Sequence, residues 1–135
     1  MASLEVIGAA EAAVGAIVFD SRKVKAHAAE PGKTIYVAQR GTQTDGHIYI
    51  PQAITDGAGI IVCETLPTEL APEVTYIRVA NADIALGQLA SAFYDFPSSK
   101  LKLVGITGTN GKTTTVTLLH RLFTELGHRT GLLST

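Results

Sequence analysis

Gly105-Ile-Thr-Gly-Thr-Asn-Gly-Lys-Thr-Thr114 sets a glycine-rich turn, a lysine and hydroxyls between an apolar run and an amphipathic segment. Leu101, Leu103, Val104 and Ile106 form the short apolar run expected of a buried parallel strand. After Lys112 the spacing turns helical, with Val116, Leu119, Leu122, Phe123 and Leu126 on one face and Gly127 placed to end the helix. Strand, turn and helix in this order predict a phosphate cradle. Gly108 and Gly111 allow positive φ and close approach, so consecutive N–H groups can aim at phosphate oxygens. The amino end of the helix adds its dipole. The candidate ATP-binding residues are Gly108, Thr109, Asn110, Gly111, Lys112, Thr113 and Thr114. Lys112 would reach the β and γ phosphates as a point charge, and the Thr113 hydroxyl is placed to ligate Mg2+. The spacing departs by one position from G-x-x-x-x-G-K-[ST], whose first glycine would stand at 106, where this chain has Ile.

Outward from this loop the chain alternates. Strands are expected at Ala16 to Asp20, Thr34 to Gln39, Gly59 to Glu64, Val74 to Val79, Leu101 to Ile106 and Arg129 to Leu133. Helices are expected at Ile48 to Asp56, Ala82 to Tyr94 and Thr113 to Leu126. Pro51 suits an early helical turn, and Asn81 is a cap candidate for a helix with the apolar face Ala82, Leu86, Leu89 and Phe93. Such alternation indicates an α/β architecture with a largely parallel sheet. Proline and serines at Phe96-Pro97-Ser98-Ser99-Lys100 suggest a linker at 97–100, dividing a domain 1–96 from a β-α-β fragment 101–135 that would expose strand edges.

Composition excludes several classes. With 46 % hydrophobic residues, 17 % charged residues and a net charge of -1, the chain has no basic excess to attract nucleic acid. No apolar stretch approaches the ~20 residues of a membrane helix, and no basic segment opens a secretory signal. A cytoplasmic protein is expected. Cys63 stands alone in an apolar run and reads as a buried strand residue. His47 falls at a loop-to-helix junction as a helix-start or packing residue. His27 falls in a loop of alanines, His120 and His128 read as solvated, and no His/Cys/Asp spacing suits zinc.

A second patterned region precedes the linker. Asp20-Ser21-Arg22 follows the apolar run Ala16 to Phe19, then come Pro31-Gly32-Lys33-Thr34-Ile35-Tyr36-Val37-Ala38 and Arg40-Gly41-Thr42-Gln43-Thr44-Asp45-Gly46-His47. Together with Thr107-Gly-Thr-Asn-Gly-Lys-Thr113, this order resembles the Mur ligases, MurE type, which add the third residue of the peptidoglycan stem. The resemblance spans roughly residues 15 to 135.

It implies a small mixed or parallel-sheet uridine-nucleotide domain followed by the first β-α-β unit of a P-loop ATPase domain. The Phe19 backbone and the Ser21 side chain would contact the uridine diphosphate of the substrate, and Thr42, Gln43 and Thr44 occupy the other nucleotide-contacting stretch. Arg22 would meet a phosphate or clamp Asp20 or Asp45, and the clamp is the favoured reading. Asp45 suits a turn or cap, and Gly41 and Gly46 suit the turn.

The implied reaction is ATP-dependent amide formation. UDP-N-acetylmuramoyl-L-alanyl-D-glutamate would be activated as an acyl phosphate and joined to a diamino acid, meso-diaminopimelate or L-lysine. Lys112 and Thr113 would be the catalytic residues contributed by this chain. At 135 residues against a three-domain family, the chain reads as a truncated N-terminal portion that binds without ligating. Alternatives are a MurF-type ligase adding D-alanyl-D-alanine, and a non-catalytic nucleotide-binding module.

Overall fold

The computed structural model describes residues 3–9, 11–28, 32–42 and 44–134. Among them, strands β1 (Ser3–Ile7), β2 (Val14–Val18), β3 (Lys33–Val37), β4 (Ala58–Cys63) and β5 (Thr75–Val79) form one sheet in the order β1-β5-β4-β3-β2. β2, β3, β4 and β5 run parallel, and β1 closes the sheet antiparallel to β5, with Ile7 opposite Tyr76. Helices α1 (Val24–His27), α2 (Ile50–Thr55), α3 (Ala82–Phe93) and α4 (Lys112–Glu125) complete the secondary structure with three short 3-10 turns. The architecture is α/β with a mixed sheet.

The central strands are apolar on both faces, as strands between two helical layers must be. Their period of two sorts the side chains. Tyr36, Ala38, Ile61 and Cys63 join Val24, Ile50 and Ala53 in one cluster. Ile35, Val37, Ile60 and Val62 point the other way and join Val79, Ala82 and Ala85 under α3. Pro51 occupies the first turn of α2, where a missing N–H costs nothing. Asn81 caps α3 by accepting the Ile84 N–H at 2.9 Å. Phe93, expected on the buried face of α3, is 40 % exposed, because the core contact of that helix ends with Leu86 and Leu89.

Two compact units divide the chain, Met1–Pro97 and Ser98–Thr135. In the second unit α4 ends in a C-terminal capping motif in which Gly127 N–H donates to Thr124 O (2.9 Å) and His128 N–H to Phe123 O (3.0 Å). The strands expected at Leu101 to Ile106 and Arg129 to Leu133 are not formed, and Leu101, Leu103 and Val104 are exposed. A buried parallel strand needs a hydrogen-bonded neighbour and a helix on each face, and the described residues of this unit supply one long helix. For the same reason Leu122, Phe123 and Leu126 on the apolar face of α4 are exposed. Sequence patterning also missed β1, whose partner lies some seventy residues away, and α1, which holds His27 in a short helix rather than a loop. The helix expected from Ile48 begins as a 3-10 turn, Gly46–Tyr49, before α2.

Ile61 is fully buried at the centre of β4. Replacing it with alanine should lower the unfolding free energy by about 2–5 kcal/mol, read from urea denaturation at matched m-value.

Candidate functional site

Parallel strands deliver their carboxyl ends to one edge of a sheet, and the loops beyond that edge are where α/β folds hold ligands. Three segments leave this edge. Phe19, Asp20 and Ser21 follow β2, residues 38–46 follow β3, and Glu64 and Thr65 follow β4. Phe19 is 59 % exposed, whereas Ser21 is buried at the first position of the 3-10 turn Ser21–Lys23. Thr42 and Thr44 are exposed on the turn after β3, and Gln43 lies outside the described residues. That turn is closed by Gly41 N–H to Thr44 O (3.0 Å) and Gly46 N–H to Gln39 O (2.7 Å), with Arg40 and Asp45 paired across it.

The charges around Ser21 are internally satisfied. Arg22 donates from Nε to Asp20 Oδ1 (2.9 Å) and from Nη2 to Asp20 Oδ2 (2.8 Å), and its backbone N–H caps onto Oδ1 at 3.1 Å. This is the clamp favoured from sequence. The Arg22 guanidinium holds the Asp20 carboxyl down at about 2. Tyr36, beneath the turn, donates its O–H to Gly46 O (3.0 Å), and burial, aided by the charges of Asp20 and Asp45, pushes its phenol up to about 12. Cys63 is fully buried and its thiol is pushed up to about 11 by burial, which keeps it unreactive. A cleft of about 390 Å³ runs along β2, lined by Phe19, Asp20, Lys23, His27, Phe93 and Tyr94 among others.

Sequence reasoning passed over Arg40 and Glu64 as site residues and read His47 as a helix-start or packing residue; it does stand at the start of the 3-10 turn before α2. His47 Nδ1 lies 2.5 Å from Asp45 Oδ1, while its Nε2 accepts the N–H groups of Glu64 (3.0 Å) and Thr65 (3.4 Å). Arg40 Nε meets Glu64 Oε2 at 3.0 Å. Asp45 is a cap, accepting the His47 N–H at 2.9 Å. The one local signal for this network is the spacing of Asp45 and His47.

Residues 107–114 belong to the second unit. Gly111 takes φ 72° and caps α4, a left-handed conformation that glycine adopts without steric cost. Lys112 Nζ folds back on Gly108 O at 2.6 Å. Thr113 is exposed, with Ser134 Oγ donating to its hydroxyl at 3.4 Å. Among the described residues no group of three His, Cys, Asp or Glu side chains forms a metal cluster.

The model of the Mur ligase family, catalytic domain, matches residues 13–94. The chain belongs to the Mur ligase family. The match covers β2 to β5 and the loops at their carboxyl edge, leaves out β1 and stops short of the glycine-rich turn. Among Mur ligases, the chain is 52 % identical over 131 residues to the UDP-N-acetylmuramoyl-L-alanyl-D-glutamate--2,6-diaminopimelate ligase of Phocaeicola vulgatus, covering 97 % of this chain and 26 % of that protein. The enzyme of the same name from Cytophaga hutchinsonii is 55 % identical over 133 residues, covering 98 % and 26 %. The chain thus spans about a quarter of the length of the curated relatives it matches. A crystal structure of MurF from Acinetobacter baumannii matches with a TM-score of 0.57 at 28 % identity, over 82 % of this chain and 22 % of that one. No helix among the described residues is long and apolar enough to cross a membrane.

The depressed Asp20 carboxyl sets a pH window. A folded-state value near 2 against an ordinary 3.8 means that the stability Asp20 contributes is complete above about pH 4 and is lost as pH falls toward 2. The stability difference between the native chain and Asp20→Asn should shrink over that interval in thermal unfolding, and shrink further in high salt.

Proposed function

We propose that this chain is the uridine-anchoring and phosphate-cradling part of an ATP-dependent amide ligase of peptidoglycan precursor synthesis. The observation that carries the reading is the glycine-rich turn capping α4, with Lys112 Nζ held on the loop carbonyl of Gly108. A lysine in that place is poised to exchange a carbonyl partner for phosphate oxygens.

In this reading Phe19, Ser21, Thr42, Gln43 and Thr44 hold the uridine diphosphate of UDP-N-acetylmuramoyl-L-alanyl-D-glutamate. The loop amides of 108–114 and Lys112 hold the triphosphate of ATP. A substrate carboxylate oxygen attacks the γ-phosphorus and ADP leaves. The amine of the incoming diamino acid then attacks the acyl carbon, loses a proton and expels phosphate. Activation is needed because a carboxylate is a poor electrophile. Lys112 contributes by positioning and by stabilising charge on the transferring phosphoryl group, not by covalent chemistry. The Thr113 hydroxyl is the oxygen this chain offers to Mg2+, which when bound neutralises phosphate charge. The names of these curated relatives support 2,6-diaminopimelate as the amine.

A MurF-type reading draws support from the structural neighbours, at TM-scores of 0.55 to 0.57. The higher identity to the diaminopimelate ligases, about half of all positions, favours the first reading.

Calorimetric titration of the chain with UDP-N-acetylmuramoyl-L-alanyl-D-glutamate should give saturable binding that Ser21→Ala weakens about tenfold, a loss of roughly 1.4 kcal/mol. Lys112→Ala should abolish Mg-ATP binding and leave the uridine ligand unaffected. Failure of a folded chain to bind any uridine ligand would refute the substrate assignment, and unchanged ATP binding by Lys112→Ala would refute the cradle.

A further inference from the structure

The turn that carries Thr42 and Thr44 is gripped at both of its stems by the same two residues at the end of β4. On the first stem, Arg40 pairs with Glu64 Oε2 at 3.0 Å and donates from Nη2 to Thr65 Oγ1 at 3.4 Å. On the second stem, His47 Nε2 accepts the Glu64 and Thr65 N–H groups at 3.0 and 3.4 Å. Because Nε2 accepts, the imidazole proton is assigned to Nδ1, from which it is donated to Asp45 Oδ1 at 2.5 Å. Glu64 has a third tie, since its Oε1 accepts the Ala82 N–H at the start of α3, also at 3.0 Å. Alongside it, Gln39 Nε2 donates to Asp83 Oδ1 at 2.6 Å, a second link from the base of the turn to the first turn of that helix.

These bonds bury little apolar surface. Thr42 and Thr44 are exposed, and a two-stranded turn of this size is marginal in water. Holding both stems against the rigid end of a central strand instead removes conformations that the turn would otherwise sample. A preorganised turn loses less entropy when a ligand orders it.

We propose that His47 and Glu64 are positioning residues for nucleotide recognition, fixing the stems of the 40–46 turn so that Thr42 and Thr44 meet the uridine nucleotide in one geometry. The inference rests on the uridine reading of that turn given above. His47 acts through its two ring nitrogens and Glu64 through its two carboxylate oxygens and its N–H, so neither needs to touch the ligand.

The test compares the native chain with His47→Phe, which keeps a flat ring and removes the three hydrogen bonds of the imidazole, and His47→Gln, whose side-chain carbonyl can accept where Nε2 does. Each is titrated with UDP-N-acetylmuramoyl-L-alanyl-D-glutamate, and amide spectra of Thr42 and Thr44 are recorded without ligand. Expected are about tenfold weaker binding and exchange-broadened Thr42 and Thr44 amides in His47→Phe, with both largely restored in His47→Gln. Glu64→Ala, which frees the Arg40 stem and the start of α3 while keeping the N–H that His47 accepts, should broaden the same amides. Native-like amides and affinity in His47→Phe would overturn the positioning role while leaving the uridine reading intact. Weakened binding that His47→Gln fails to restore would also overturn it. A native chain that binds no uridine ligand would bring down both readings together, whatever the amides show.

Discussion

Everything in the first unit depends on the parallel ladder between β3 and β4. Two strands with apolar side chains on both faces can be buried only between two layers, and parallel pairing requires the chain to return across the sheet before each new strand. The connection through α2 buries Ile50 and Ala53 on one face, while α3 covers Val37 and Val62 on the other. One geometric consequence follows: the carboxyl ends of β2, β3 and β4 open on the same edge, and the residues that leave them become neighbours without being neighbours in sequence.

That edge is dominated by polar groups whose partners are fixed. Asp20 is committed to Arg22, Arg40 and His47 converge on Glu64 and Thr65, and Tyr36 is a neutral donor to Gly46 O. Exposed ion pairs of this kind contribute little to stability, so their chief effect is on shape. They leave Phe19, Thr42 and Thr44 turned to solvent on a framework with few alternative conformations.

Much of this was legible before any coordinates. The runs at 34–39 and 59–64 were readable from their apolar pattern and the Asn81 cap and Pro51 start from contacts within a few residues, and each formed within a residue or two of its expected limits. The Arg22 clamp on Asp20 spans two residues and was readable for the same reason. Leu101 to Ile106 had the right pattern but not the strand, because an apolar run states only what it would bury and a ladder needs a neighbour. β1 and the Glu64 clamp left almost no local trace, since their partners lie far along the chain.

The sequence by itself determined the alternation of β2 to β5 with α2 and α3 and the polarity of each of those strand faces, because propensity and side-chain period are local properties. Only the tertiary structure decided that Ser3–Ile7 pairs antiparallel with β5, and that Arg40, His47 and Ala82 meet at Glu64. Those choices depend on how the chain crosses the sheet, and the free energy of such long-range closures is written in the packing of the whole sheet rather than in any single segment.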